Sequence, residues 1–137
     1  MKILVTGDKG FIGTRLVKRL EKDNHTIVGI DTKEKIFLVK GDIKNIYDIE
    51  RVFMMSIELN KKIESVIHFA GLKSVAESVE KPQDYWENNV NGTINLLKIM
   101  NKYNCKNIVF SSSATVYKSK LNKLLDETDI CEPVNPY

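Results

Sequence analysis

Three glycines and one aspartate carry the first recognisable chemistry in this sequence. The stretch TGDKGFIG at 6–13 follows a short β-branched run and opens a segment with helical periodicity. At such a junction a phosphate can reach the unpaired N–H groups and the positive dipole end of a helix only if the turn lacks side chains. Gly7, Gly10 and Gly13 would supply the tight turn, the close approach and the packing of helix on sheet. Their G-x-x-G-x-x-G spacing is one residue longer than the G-x-G-x-x-G fingerprint. Alone, a glycine trio is weak evidence, because any tight turn recruits glycine. Asp31 strengthens it. It ends a second apolar run 18 residues after Gly13, where a carboxylate would accept hydrogen bonds from ribose hydroxyls and repel a 2′-phosphate. The combination points to NAD rather than NADP. The plainer alternative is that Asp31 caps a turn, and Lys33 and Lys35 leave some room for a phosphate.

These residues need strands and helices to position them, and the hydrophobic pattern provides both. KILVT at 2–6, TIVGID at 26–31, IFLVK at 36–40, SVIHFA at 65–70 and NIVFSSS at 107–113 are candidate strands. Their nearly continuous apolar character suits a parallel sheet covered on both faces by helices. Between them, three sets keep one helical face: Ile12, Leu16, Val17 and Leu20; Ile46, Ile49, Val52 and Phe53; Val90, Ile94, Leu97 and Met100. The alternation predicts an α/β fold, a Rossmann-like doubly wound parallel sheet of about five strands in one domain over 1–137, with its second half incomplete. One connection breaks the rhythm. Only four residues separate Asp31 from Ile36, too few for a crossover containing a helix. A helix-free link and a short third strand, limited to roughly Phe37–Lys40, are therefore expected.

Composition sets the outer limits. Among 137 residues, 42% are hydrophobic and 28% charged, an ordinary globular balance. The 21 basic and 18 acidic residues are interspersed, giving +3 without a basic stripe, so nucleic acid is not an expected partner. The apolar runs are too short to span a bilayer and the N-terminus shows no signal-peptide pattern, so a cytoplasmic protein without membrane contact is expected. Cys105 and Cys131 match neither a redox motif nor a zinc-ligand spacing, which leaves free thiols and no metal.

Three stretches together resemble the UDP-glucose (UDP-galactose) 4-epimerases of the extended short-chain dehydrogenase/reductase family: TGDKGFIG, then HFAGLKSVAESVEKPQDYWENNVNGT at 68–93, and FSSSATVY at 110–117. The likeness runs from Met1 to Tyr137, and the second stretch is the specific one. It implies that Phe11 and Ile12 lie under the pyrophosphate and that Asp42 and Ile43 stand beside the adenine. Phe69, Ala70, Gly71 and Lys73 would line the ribose and nicotinamide side, with Asn88 and Ser111 supporting the cofactor. Ser113 resembles the catalytic serine, Thr115 would lie near the hexose, and Tyr137 aligns with the catalytic tyrosine. The implied partner is a UDP-hexose, and a homodimer is possible.

Those residue types suit the chemistry. Taking hydrogen from C4 of a hexose requires a hydride acceptor, which is the cofactor, and a base for the hydroxyl proton. A phenol serves as that base at neutral pH only where positive charge favours the phenolate. The family provides the charge with a lysine four residues after the tyrosine, a position beyond Tyr137. The resemblance therefore implies the NAD-binding portion of such an enzyme, inactive by itself. Two other functions compete. A 4,6-dehydratase or an epimerase of another hexose would keep the fold, although the dehydratase should show an acidic pair after the serine, and ATVYKSK has none. A non-catalytic dinucleotide-binding module would use apolar surface near the last strand for partners. Plain structural roles also exist: Asn88 and Asn89 could cap a helix starting near Val90, Trp86 and Tyr85 could cover the core, and His68 could be a satisfied interior histidine.

Overall fold

The computed structural model describes residues 1–33, 39–118 and 124–137. Strands β1 (Lys2–Thr6), β2 (Thr26–Asp31), β3 (Val39–Lys40), β4 (Ser65–His68) and β5 (Asn107–Phe110) form one sheet in the order β3-β2-β1-β4-β5. Every pairing is parallel, with Thr6 level with both Ile30 and His68. The order reverses at β1, so β2 and β4 diverge on either side of its carboxyl end, where open α/β sheets place their ligands. β4 and β5 are shorter than the apolar runs suggested, because Phe69–Ala70 and 111–113 leave the sheet to build loops at that end. Of the expected third strand, Val39 and Lys40 are seen in β3. Residues 34–38, which carry the rest of that expected strand and most of the helix-free link, lie outside the described residues.

Helix α1 (Phe11–Lys22) follows β1, and α2 (Ile46–Glu58) follows β3. Asn45 begins α2 by accepting the Tyr47 N–H at 3.1 Å. Asn24, Asn60 and Asn104 adopt positive φ after the three long helices. In each case the next residue's N–H reaches back into the last turn, as His25 does to the Leu20 carbonyl at 3.0 Å and Cys105 to that of Met100 at 2.8 Å. After β4 come α3 (Val75–Glu80) and then an unbroken helical run: α4 (Pro82–Tyr85), a π-helical turn over Trp86–Asn91, and α5 (Gly92–Lys102). Because this run passes straight through Val90, Asn88 and Asn89 do not cap a helix there. Tyr85 is buried, but Trp86 is exposed, so only the tyrosine covers the core.

The main core lies on one face of the sheet. Leu4, Ile30 and Val66 meet Ile49, Val52 and Phe53 of α2 and Leu96, Ile99 and Met100 of α5. The expected α5 face was different, since Ile94 and Leu97 are exposed and of that set only Met100 is buried. Two apolar stripes overlap on this helix, and close approach decides between them. Gly92 lets the Ile43 side chain rest where a Cβ would stand 2.7 Å from its Cδ1. Asn95 also donates to the carbonyls of Ile43 at 3.3 Å and Lys44 at 3.0 Å. The opposite sheet face is covered by α1 across β1 and β2, while Val109 on β5 is exposed. That exposure matches the apolar surface expected near the last strand of a sheet whose second half is incomplete. Among the described residues, no helix is long and apolar enough to cross a membrane.

The two stripes can be told apart by truncation. Leu96→Ala should cost about 2–5 kcal/mol in denaturant unfolding, as core leucines do. Leu97→Ala should stay within about 1 kcal/mol.

Candidate functional site

The site is built on the turn after β1. Gly7 has φ of 70°, a left-handed conformation that favours glycine. Its N–H donates to the Ile30 carbonyl at 2.9 Å, and its carbonyl accepts the Gly10 N–H at 3.0 Å. A Cβ at Gly7 would stand 2.8 Å from the Ala70 nitrogen, and one at Gly13 would stand 2.3 Å from the Gly7 carbonyl oxygen. Bare backbone is therefore required on both sides of the turn. No side chain caps α1, and its first turn carries no acidic residue. Its N-terminal N–H groups and dipole are left facing a groove with no protein anion in that turn to occupy them.

The groove has two lobes that share Gly7, Gly10 and Phe69–Leu72. The larger, of about 480 Å³, is lined by Phe11, Ile12, Gly13, Lys73, Ser111, Ser113 and Tyr137 as well as the shared residues. The smaller, of about 200 Å³, is lined by Asp31, Asp42, Ile43 and Asn88. Of the candidate catalytic, substrate-binding and cofactor-binding residues, only Thr115 lines neither lobe. It touches the site indirectly, its hydroxyl 2.9 Å from that of Ser113. The Ser113 oxygen also accepts the Thr115 N–H at 3.2 Å. Tyr137 packs edge-on against Tyr85, ring centroids 6.3 Å apart.

In the smaller lobe, Asp31 accepts the Lys9 N–H at 3.0 Å through Oδ2 and the Lys33 N–H at 3.0 Å through Oδ1. The turn-capping role leaves room for a ligand, because a carboxylate offers about four lone-pair sites and two remain. Asp42 anchors its own loop, accepting the Lys44 N–H at 2.9 Å while its N–H donates to Asp48 at 3.1 Å.

The far wall, residues 69–72, is held by two side-chain arrangements. Asn89 accepts the Leu72 N–H at 2.8 Å and donates to the Leu72 carbonyl at 2.9 Å, a two-point clamp from the π turn. His68 is interior, as expected, and it also lines the larger lobe. Its proton can be assigned from its neighbours. Thr93 donates its one hydroxyl hydrogen to the Asn89 carbonyl at 2.6 Å, so toward His68 Nε2, 3.0 Å away, Thr93 must accept. With Nε2 protonated, Nδ1 accepts from Thr6 Oγ1 at 2.6 Å, and that oxygen accepts the Ala70 N–H at 3.1 Å. Burial pushes the imidazole down to about 4, so the ring is neutral at physiological pH and ties β1, β4 and α5 to the loop. Asn89 and Thr93 were missed in the sequence reading. The only local hint was the run ENNVNGT, which does not say which asparagine turns toward the loop.

A dinucleotide fits this arrangement. The glycines leave a cradle that a single Cβ would fill, the helix end is bare, and the two lobes offer a carboxylate at one end and hydroxyls at the other.

Comparison with known proteins agrees with that fit. A profile of the NAD dependent epimerase/dehydratase family matches residues 3–137. The chain is 40% identical to a UDP-glucose 4-epimerase of Pisum sativum over 156 aligned positions, covering 99% of this chain and 43% of the relative. A UDP-glucose 4-epimerase of Yersinia enterocolitica is also 40% identical, over 100% of this chain and 44% of its own length. The fold superposes on UDP-glucose 4-epimerase from Bifidobacterium longum in complex with NAD+ and UDP, with TM-score 0.87 and 34% identity, over 100% of this chain and 44% of that one. The enzyme of Thermotoga maritima with UDP-glucose gives TM-score 0.86 and 30% identity, over 100% and 46%. The chain thus spans less than half the length of the relatives it matches. The Pisum alignment is longer than the chain, so that relative carries residues between the matched ends that this chain lacks.

The state of His68 has a measurable consequence. Its folded pKa, about 4, lies below its ordinary 6.5. Between those values the unfolded chain binds the extra proton, so stability is full above about pH 6.5 and falls as pH drops toward 4. The loss should approach about 3 kcal/mol, and His68→Gln should flatten that part of the pH profile in denaturant unfolding.

Proposed function

The chain belongs to the NAD dependent epimerase/dehydratase family, and from that premise we propose that it is the NAD-binding part of a UDP-glucose 4-epimerase. The reaction is interconversion of UDP-galactose and UDP-glucose, the step that joins galactose to glucose metabolism. The observation that carries this reading is one continuous groove with a bare helix N-terminus between Asp31 at one end and Ser113 and Tyr137 at the other.

When bound, NAD supplies an acceptor for the hydride leaving C4 of the hexose. The chain's residues do the rest. Backbone N–H groups of Phe11, Ile12 and Gly13 in the first turn of α1 hold the diphosphate, and the remaining lone pairs of Asp31 take the ribose hydroxyls. Asp42 and Ile43 flank the adenine, with Asn88 beside them. Phe69, Ala70, Gly71 and Lys73 form the wall on the nicotinamide side, and Ser111 supports it. In the complete enzyme the Tyr137 oxygen, as the phenolate that a neighbouring cation would favour, would take the proton from the sugar 4-oxygen, and the Ser113 hydroxyl, held by Thr115, would bridge the two oxygens and keep them in line. ATVYK at 114–118 offers no carboxylate to expel water from a neighbouring carbon, which favours epimerisation over dehydration.

Because the chain matches less than half the length of its relatives, NAD binding without turnover is the expected behaviour of these 137 residues by themselves, and a cytoplasmic location belongs to the same proposal. A homodimer belongs to the same proposal and rests on the exposed Val109 of β5; light scattering at twice the monomer mass would support it, and at the monomer mass would remove it.

Calorimetric titration tests the reading. NAD should bind saturably, and Asp31→Asn should weaken it by about tenfold, the worth of a charge-assisted hydrogen bond. Absence of NAD binding, or clear conversion of UDP-galactose to UDP-glucose by these 137 residues alone, would overturn it.

A further inference from the structure

Lys9 presents a contradiction within the glycine turn. Its backbone N–H is bonded to Asp31 at 3.0 Å, so the residue begins beside the carboxylate that faces the ribose. A free lysine there would be harmful to NAD in two ways. Its ammonium would compete with the ribose hydroxyls for Asp31, and it would welcome the 2′-phosphate that Asp31 repels. The side chain instead turns back to Asp8, where Nζ pairs with Oδ2, leaving the lysine side chain 9% exposed and the aspartate 1%. Asp8 Oδ1 has no hydrogen-bond partner among the described residues.

The room for this carboxylate comes from β2. A Cβ at Gly29 would stand 2.4 Å from Asp8 Cγ and Oδ2, so any other residue at 29 would displace the aspartate. Gly29 lies two residues before Asp31 on the same strand. Asp8 therefore occupies a seat under the ribose end of the groove without facing it.

We infer that Asp8, seated on Gly29, sets the preference for NAD over NADP by holding the Lys9 ammonium away from the ribose subsite. Asp8 is a specificity-determining residue that acts through Lys9. The inference rests on the dinucleotide reading of the groove.

The test compares dissociation constants of NAD and NADP, measured by calorimetry on the chain and on D8N, K9M, D8N/K9M and Gly29→Ala. In D8N the freed ammonium should tighten NADP and weaken NAD, lowering the NAD:NADP preference by about tenfold. K9M alone should leave the preference within about twofold, because the ammonium is already withheld. The double variant should return to the unsubstituted preference, which a merely structural role for Asp8 would not produce. Gly29→Ala retains the carboxylate but unseats it, so it should shift the preference in the same direction and decides the matter if D8N does not fold. An unchanged preference in D8N or Gly29→Ala, or a shift in K9M alone, would refute the inference while leaving NAD binding intact. Failure of the unsubstituted chain to bind NAD would instead refute the reading beneath it.

Discussion

Where the turn after β1 meets the end of β4, there is no room for a side chain. Gly7 lies against the Ala70 nitrogen, and Gly13 lies against the Gly7 carbonyl, at distances a Cβ could not occupy. That contact sets the depth of the groove, since it draws the first turn of α1 down to the sheet and leaves its N–H groups uncovered. Everything the groove can hold follows from it. A helix end raised by even one methyl group would meet a diphosphate at a longer distance and through less favourable hydrogen-bond geometry.

The two walls of the groove are held by different means. The β2 side is largely a backbone construction, in which Gly7 bonds the Ile30 carbonyl and the Lys9 and Lys33 N–H groups fix Asp31. The β4 side depends on side chains, with Asn89 gripping Leu72 and the Thr6–His68–Thr93 chain gripping Ala70. Both Asn89 and Thr93 belong to the helical run through the π turn. Such turns are rare and recur at functional sites, and here the wider turn carries Asn88 toward the smaller lobe while Asn89 faces the loop. A network of this kind is strong only when every donor and acceptor is matched, and the neutral His68 is the protonation state that matches them.

Much of this was legible in the sequence because it rests on local rules. Glycines at a strand-to-helix junction and an aspartate ending the second strand each have a local physical cause. The positions of all five strands and the α2 face could be read the same way. The α5 face could not, because Gly92 contributes no hydrophobicity to a pattern and acts only by what it allows Ile43 to do. Trp86 looked like core but sits outside, while Asn89 looked like a cap and became a clamp across 17 residues of chain. His68 was read as interior, which it is, but its hydrogen-bonding role depends on Thr6 and Thr93, separated from it by 62 and 25 residues. Long-range complementarity of this kind has no period to detect.

The Asp8–Lys9 pair is the least explicable feature on grounds of stability. Burying a carboxylate and an ammonium costs desolvation that their attraction offsets only when the remaining polar atoms are satisfied, and Asp8 Oδ1 is not. Apolar residues of similar size would fill the same space without that cost, and a side chain at Gly29 would pack where the carboxylate now sits. Three positions are thus committed to an arrangement that folding alone does not favour. Departures from local economy of this kind concentrate where a ligand must be discriminated. The adjoining residue on the groove side is the carboxylate at 31, which the proposed ribose contact requires to stay free of a cation. A charge that is costly to bury beside a charge that must stay exposed is coherent if the first exists to protect the second.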